Sequence, residues 1–228
     1  EWVLNYMRAG IDCVAITDHN SGAWIDRVKT ALSNLREQAH PEYRPLFIFP
    51  GIELTVNGNI HLLGIFSETK STSDIDTLIG NVRYRGTKGL SDACTERTFT
   101  EVVDDIVEME GIAIPAHVDE ARGLFVEAEG VTLSQCLNNK RVIAMELKNK
   151  DFAMPQAYID KKLNWTAILG TDSHHPVGEG NQSYPGSSFT WIKMTTPSIE
   201  GLRLALLDGE LSIKRCGATA ENMNKHSS

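Results

Sequence analysis

The sequence has little that would indicate a membrane protein, a disulfide framework or unaided nucleic-acid binding. No run among its 228 residues approaches the ~18 consecutive apolar residues of a membrane helix, and no secretory signal is visible. The four cysteines are scattered without a CxxC pair, so reduced thiols are expected, with Cys13 and Cys136 in the core. The formal net charge of −8 disfavours nonspecific binding to nucleic acid or to anionic membranes. These absences favour a cytoplasmic globular protein without a membrane partner.

What the sequence does contain is an alternation of apolar runs and amphipathic segments. The runs 12–17, 45–51 and 111–117 are typical of buried strands, and segment 22–38 has the apolar spacing of a surface helix. Buried strands that alternate with helices predict an α/β fold with a parallel sheet, either open or closed into a barrel. No internal repeat and no long linker divides the chain, so residues 1–215 are expected to form one domain.

The two ends and one internal segment need separate interpretations. A helix over 1–9 is expected before the first strand. Segment 67–97 is polar and hard to assign, apart from a short helix over 75–79. A final helix over 196–209 has proline and serine near its start and glycine at its end. Residues 216–228 are expected to be a flexible tail or linker.

Side chains that suit metal binding stand where the predicted strands end. The carboxyl ends of parallel strands lie on one rim of a sheet or barrel, so these side chains are predicted to converge. Imidazole and carboxylate groups brought together suit divalent first-row metals. The residues are Asp18, His19, Glu53, His117, Glu146, Asp172 and His174, and His61 opens a short strand after the turn 57–59.

Four short motifs follow one another in an order that a known family shows. They are TDHN at 17–20, PGIEL with a histidine eight residues after its glutamate at 50–61, PAHVD at 115–119 and GTDSHH at 170–175. Together they resemble the PHP (polymerase and histidinol phosphatase) domain, from about residue 10 to residue 195. The resemblance implies a metal-dependent phosphoesterase on a distorted (β/α)7 barrel.

The resemblance also implies roles for the residues that match. Glu53 would bridge two metals, His61 and His117 would complete the shell of one, and Asp172 would bind the other. The implied cofactors are two or three divalent transition metals, Zn, Mn or Fe. Catalysis would be carried by Glu53, Asp172 and His174.

Other matching residues would lie at or around the metals. His19 and His174 would belong to a third metal. Asp18 would orient an imidazole, as carboxylates commonly do beside metal ligands. Glu146 and Asn149 would lie near the site without a direct metal bond.

The sequence departs from the PHP pattern in one respect. PHP domains begin with a strand that ends in His-x-His, and no H-x-H occurs in these 228 residues. The expectation is that this strand precedes residue 1, where the chain begins as if in the middle of a helix. The chain as given would then lack its first strand and be catalytically poor, with one complete ligand trio formed by Glu53, His61 and His117.

The implied reaction is hydrolysis of a phosphate ester by a hydroxide that bridges two metals. The substrate would be nucleic acid, a nucleotide or a small phosphomonoester. Arg122, five residues after His117, and Arg85, in the basic loop 83–88, are candidates for binding the phosphate, because arginine suits bidentate contacts with phosphate. A solvated surface loop is the alternative interpretation of 83–88.

Two other functions stay open on the sequence alone. One is a degenerate PHP module that binds metal or a partner without turnover, and the other is a metal-dependent amidohydrolase. The segment 197–215 is similar to the one that follows the PHP domain in large bacterial PHP-associated ATPases, which implies an ATPase region in the same longer polypeptide. This chain has no Walker A pattern, so it binds no ATP by that route.

Overall fold

The computed structural model describes residues 1–178 and 182–216, and for Cys216 it describes the backbone alone. Helices and strands are interspersed along these residues, so the architecture is α/β, as predicted. The helices are α1 (Trp2–Arg8), α2 (Ile25–Glu37), α3 (Thr72–Asn81), α4 (Phe99–Glu108), α5 (Leu124–Glu127), α6 (Gly130–Asn138), α7 (Gln156–Asp160), α8 (Ile199–Asp208) and a 3-10 turn (Gly209–Leu211). The strands are β1 (Cys13–Ile16), β2 (Phe47–Val56), β3 (Ile60–Ile65), β4 (Ile112–Pro115), β5 (Ala144–Glu146), β6 (Thr166–Ile168), β7 (Phe189–Ile192) and β8 (Ile213–Cys216).

The largest sheet is mixed, and the prediction of a wholly parallel sheet is wrong. In its order β1-β2-β3-β4, β1 and β2 are parallel, whereas β3 runs antiparallel to both β2 and β4. The chain reverses between β2 and β3 at residues 57–59, where Gly58 and Asn59 have φ values of 91° and 62°. Positive φ values of this kind are typical of short hairpin loops. Because of the reversal, the first residues of β3 lie beside the carboxyl ends of β2 and β4.

β2 extends beyond its predicted end. The sequence predicted a strand that ends at the Pro-Gly pair, over 45–51, but β2 continues through Glu53 to Val56. Glycine suits position 51 because a Cβ there would lie 2.8 Å from the carbonyl oxygen of Gly64 and 3.0 Å from that of Ile16. Gly51 therefore lets β1 and β3 approach β2 from both sides. As a result, Glu53 lies within the strand.

The core covers both faces of β2 and β3. Ile52 and Leu54 belong to one apolar cluster, and Phe49 and Ile65 belong to another that includes Leu206 of α8. A strand buried on both faces forms a nearly continuous apolar run, which is why this region is conspicuous in the sequence. Since side chains alternate along a strand, residue 53 of β2 lies on the same face as residue 49. The site is therefore built on that second face.

Two of the helices begin with reciprocal capping contacts. Ser71 and Asp74 form a capping box at the start of α3, and Thr98 and Glu101 form one at the start of α4. Each box satisfies backbone N–H groups that would otherwise have no partner within the helix. The capping at Ser71 makes α3 longer than the short helix predicted over 75–79.

The remaining strands form two small sheets. β5 and β6 are parallel, and β7 is antiparallel to β8, a strand that the sequence did not predict. Cys216, assigned to the flexible tail by sequence, is the last residue of β8, and the rest of that predicted tail, 217–228, lies outside the described residues. Among the described residues the three sheets do not join into one closed barrel. Closure into a (β/α)7 barrel stays a prediction.

The described cysteines are reduced, as the sequence predicted. Cys13, Cys94 and Cys136 are free thiols, and Cys136 is buried at 3% exposure. Burial raises the pKa of the Cys13 and Cys136 thiols to about 11, so both are protonated at neutral pH. In residues 1–178 and 182–216, no helix has the length and apolar character needed to cross a membrane.

Candidate metal centre

Glu53 is buried and lies at the centre of three histidines, of which His61 and His117 are buried too. Its carboxylate oxygen Oε1 pairs with Nδ1 of His61 and lies 3.3 Å from Nε2 of His117. Its other oxygen, Oε2, lies 3.8 Å from Nδ1 of His19. We call these four residues the His–Glu cluster. Ligand atoms of His19, Glu53 and His61 all lie within 4.8 Å of one another, so one metal ion could contact all three.

The turn after β1 places His19 beside Glu53. The backbone N–H of Glu53 donates to the carbonyl of Asp18 at 3.2 Å, and that of Asn20 donates to the carbonyl of Glu53 at 2.8 Å. Asn20 is fully buried and has a φ of 48°, a conformation that asparagine tolerates better than most residues. Its side chain exchanges two hydrogen bonds with Thr55, at 2.9 and 3.0 Å. The turn is therefore fixed along β2 by both backbone and side chain.

Neighbouring strands position the other two histidines. The backbone N–H of His61 donates to the carbonyl of Arg122 at 2.8 Å, and the carbonyl of His61 accepts from Ala116 at 3.1 Å. His117 follows β4 with a φ of 28°, an uncommon value for a residue with a side chain. Its backbone N–H donates to Oε2 of Glu146 at 2.9 Å. Such strained conformations persist where surrounding contacts determine them, and they are enriched at functional sites.

Each imidazole of the His–Glu cluster has a buried nitrogen without a hydrogen-bond partner. Among the described residues these atoms are Nδ1 of His19, Nε2 of His61 and Nδ1 of His117. A buried polar atom left without a partner is costly, so each such atom calls for an explanation. Imidazole nitrogens around a carboxylate match the donors that Zn, Mn and Fe accept in proteins. The donor set therefore fits a divalent transition metal.

The D-x-H pair after β6 reaches the same cavity. Oδ1 of Asp172 lies 3.1 Å from Nε2 of His174, and the His174 ring stacks on His19 at a centroid distance of 5.7 Å. Asp172 has a φ of 46°, a left-handed backbone conformation that is uncommon for a residue with a side chain. The cavity has a volume of about 220 Å³, and all predicted metal ligands line it. Its lining residues are His19, Glu53, His61, His117, Glu120, Ala121, Asp172 and His174.

The electrostatics favour an ionised Glu53 beside neutral His19. Burial alone would raise the pKa of Glu53, but hydrogen bonds from His117 and His61 outweigh it and place that pKa well below its usual range. Burial lowers the pKa of His19. Burial opposes protonation of His117 too, yet the hydrogen bond and charge of Glu53 raise its pKa above the usual value. Carboxylate and neutral imidazole are the forms that bind metals.

Solved structures with a similar fold include two of Endonuclease Q. Neither a family model nor a curated protein matches the sequence. The lesion-specific Endonuclease Q of Pyrococcus furiosus superposes with a TM-score of 0.57 and 14% identity over 94% of this chain and 52% of its own. Endonuclease Q bound to a 27-mer duplex with an abasic lesion at the active site superposes with a TM-score of 0.60 and 16% identity, over 90% of this chain and 50% of its own.

A third similar structure belongs to a two-domain protein of Bacteroides vulgatus that contains a predicted PHP-like metal-dependent phosphoesterase. It has a TM-score of 0.50 and 15% identity over 94% of this chain and 60% of that protein. The fold is PHP-like. This PHP-like chain spans between half and three fifths of the solved chains that it resembles.

Glu146 supports the site of this PHP-like fold, whereas Asp18 and Asn149 do not contact its histidines by hydrogen bonds among the described residues. The Glu146 carboxylate is buried and accepts backbone N–H groups from His117 at 2.9 Å and Gly170 at 3.1 Å. Asp18 is half-buried, and burial raises the pKa of its carboxyl. Asn149 is exposed, and its side-chain oxygen accepts from the Asp151 backbone at 3.0 Å. No hydrogen bond among the described residues therefore supports the predicted role of Asp18 in orienting an imidazole.

The side chains of the two arginines predicted to bind phosphate contact residues outside the cavity. The guanidinium of Arg122 donates to the carbonyl of Ser91 at 3.0 Å, although the Arg122 backbone contacts His61. The side chain of Arg85 is 76% exposed, and its Nε lies 3.5 Å from Glu96. Neither residue lines the cavity. The contacts of Arg85 agree with the interpretation of 83–88 as a solvated loop.

Lys148 is the basic residue beside the site that sequence reasoning missed. Its Nζ lies 3.5 Å from Oε1 of Glu146 and 3.6 Å from Oδ2 of Asp172. A signal was available, because residues two apart in an extended segment share a side, and Lys148 follows Glu146 by two positions. The lysine was missed because arginine was preferred as a phosphate ligand.

Proposed function

We propose that this chain is a metal-dependent phosphoesterase, a hydrolase of phosphate esters. The observation that carries the proposal is the His–Glu cluster, in which a buried carboxylate lies beside three imidazoles, each with one buried nitrogen that has no hydrogen-bond partner among the described residues. The similarity of the fold to a PHP-like metal-dependent phosphoesterase and to Endonuclease Q supports the reaction class. The fold alone would be compatible with many functions, so the proposal depends mainly on the donor set.

The proposed cofactors are two or three divalent ions of Zn, Mn or Fe. When bound, such ions would lower the pKa of water and neutralise charge on phosphoryl oxygens. Glu53 is the proposed bridging ligand, because both of its oxygens face imidazoles. The proposed ligands are His19, Glu53, His61, His117, Asp172 and His174, and catalysis is assigned to Glu53, Asp172 and His174.

The protein's own contribution would be to hold these donors in place and in the required protonation state. Glu53 is ionised because its pKa is low, and His19 is neutral because burial lowers its pKa. Glu146 accepts hydrogen bonds from the backbone of both His117 and Gly170, so it links the donors after β4 to the segment after β6. Side chains fixed by surrounding contacts are the ones that preorganise a catalytic site.

Nucleic acid is the proposed substrate among phosphate esters, since the similar Endonuclease Q is seen with a 27-mer duplex substrate that has an abasic lesion at the active site. The net charge of −8 means that binding would depend on the site rather than on general attraction to phosphates. We propose further that residues 1–215 form one domain that closes as a (β/α)7 barrel. A cytoplasmic location and an ATPase region in a longer polypeptide complete the proposal.

The test is metal uptake by the chain and by a variant of its central carboxylate. Purified wild-type protein is equilibrated with Mn²⁺ or Zn²⁺, desalted and analysed by elemental mass spectrometry, and hydrolysis of bis(p-nitrophenyl) phosphate is then measured. We expect at least one ion per wild-type chain. Glu53→Gln should weaken metal binding by about 100-fold or more, because a direct ligand contributes at least as much as its supporting residues do.

A matched control is Glu96→Gln, which changes an exposed carboxylate that is paired with Arg85 and does not line the cavity. It should bind metal as the wild type does. Equal metal content in wild type and Glu53→Gln would contradict the proposed metal centre. Metal uptake without hydrolysis of any phosphate ester would instead favour a module that binds metal without turnover.

A further inference from the structure

A phosphate ester bound at the cavity would bring negative charge next to several carboxylates. Glu53, Asp172 and Glu120 line the cavity, and Glu146 lies directly behind it. Basic side chains that donate hydrogen bonds to phosphoryl oxygens commonly offset such charge. The arginines considered first are engaged elsewhere, so another basic group has to be considered.

Lys148 is a basic residue that lies beside two of these carboxylates. Its Nζ lies 3.5 Å from Glu146 and 3.6 Å from Asp172, and its side chain is 17% exposed. Lys148 is not itself a lining residue of the cavity, but its Nζ is close to Asp172, which is one.

The N–H groups of the Lys148 ammonium are available for hydrogen bonds to a ligand. Both distances exceed the 2.7–3.2 Å of an ordinary N–H···O hydrogen bond, so the contacts with Glu146 and Asp172 are electrostatic. Glu146 does not depend on Lys148, because its two oxygens already accept backbone N–H groups from His117 and Gly170. No hydrogen bond of the lysine side chain to another described residue is present, which leaves three N–H groups available.

We propose that Lys148 binds a phosphoryl oxygen of the substrate and thereby determines its affinity for phosphate esters. The inference rests on the proposed function, since it concerns the substrate of the same cavity. It replaces Arg122 and Arg85 by Lys148 as the main phosphate-binding side chain. Lysine suits this role as a compact charge with freely rotating donors.

The experiment measures binding of inorganic phosphate by isothermal titration calorimetry to the full chain loaded with Mn²⁺, with metal content determined in parallel. Lys148→Met should weaken phosphate binding about tenfold or more, the usual effect of losing a hydrogen bond to a charged group. Its metal content should equal that of the wild type. Lys148→Arg should restore most of the affinity. Lys88→Met is the matched control, because Lys88 pairs with Asp76 on the surface, and its affinity should not change.

Several outcomes would overturn the inference. Phosphate binding that is equally tight in Lys148→Met and wild type would exclude a contact. Loss of metal together with phosphate would show that Lys148 balances the charge of the carboxylates instead. Metal-loaded wild type that binds no phosphate would also overturn it, while leaving the metal centre intact. Absence of metal from the wild type would contradict the proposed function and this inference with it.

Discussion

The two halves of the candidate site are built in different ways. The His–Glu cluster stands on and directly beside β2, β3 and β4, and its Glu53, His61 and His117 side chains are less than a tenth exposed. The second half is the irregular segment after β6, where the Asp172 side chain is 32% exposed and that of His174 is 63% exposed. Both halves line one cavity, yet the first is buried in the sheet, apart from His19 at 28% exposure, and the second is closer to the surface.

This difference has a physical cause and a consequence for function. The register of β2 with β3 places Thr55 opposite His61, and β3 with β4 places Leu62 opposite Pro115. Residues held by strand register keep their separation, because a shift of one residue would turn every side chain to the other face. Asp172 lies instead in an irregular segment, where its φ is 46° and the neighbouring backbone has few contacts. We therefore expect the cluster to bind metal first and this segment to adjust.

The largest expected effect compares one histidine from each half. His117→Ala should weaken metal binding by about 100-fold, whereas His174→Ala should weaken it by about tenfold or less. The reason is that His117 is buried and in contact with Glu53, while His174 is exposed and contacts only Asp172 and His19 among described residues. Metal affinities are measured by competition with a chelating dye, and circular dichroism verifies that each variant is folded. Equal losses would contradict the proposed difference between the halves.

A smaller effect is expected for the residue that joins the two halves. Glu146→Gln keeps the size of the side chain but removes its charge, so the hydrogen bonds from His117 and Gly170 should weaken. The free energy of unfolding of the metal-free protein should fall by about 2 kcal/mol, since bonds to a buried charged acceptor contribute roughly 1.5–3 kcal/mol each. Urea denaturation measures this change. Glu200→Gln, at an exposed pair with Arg203, should change it by less than about 0.5 kcal/mol. If Glu146→Gln lowered the free energy of unfolding as little as Glu200→Gln does, the Glu146 carboxylate would not join the two halves.

The smallest effect concerns pH within the cluster. Burial opposes protonation of both His117 and His19, but Glu53 raises the pKa of His117 above its usual 6.5, whereas the pKa of His19 is lowered. A metal must displace the proton of His117, so metal affinity should fall by up to about tenfold per pH unit as pH decreases through the raised pKa. Competition titrations between pH 5 and pH 8 (about the range where imidazole titrates) measure this. A His19→Gln chain should keep the dependence. Loss of the dependence in that variant would assign the proton to His19.

Much of the fold was predictable from local patterns, and the exceptions have identifiable causes. The apolar run 12–17 and the amphipathic segment 22–38 correspond to β1 and α2. The extent of β2 was wrong, because a Pro-Gly pair usually ends a strand, and only the closely packed neighbours of Gly51 explain why it continues. β8 was missed because a four-residue strand after a helix has too short a pattern to recognise.

The convergence of the predicted metal ligands followed from one general property of parallel sheets, and the structure places them around one cavity for a partly different reason. His61 reaches the site because β3 is antiparallel, so the start of that strand meets the ends of its neighbours. Arg122 shows the limit of such reasoning. Arg122 follows His117 by five residues, so its backbone was expected near the site. The direction of a long side chain depends on its partners, and the guanidinium donates a hydrogen bond to the carbonyl of Ser91.

The amino-acid sequence alone determined which donors this protein offers and in what order, because residue type and local periodicity are properties of neighbouring positions. Which of them touch was decided by the tertiary fold. Glu53 pairs with His61 and His117 through strand register, and Lys148 meets Asp172 because β5 lies beside β6. Those contacts join residues far apart in the chain, and their energies depend on burial, which no local pattern specifies.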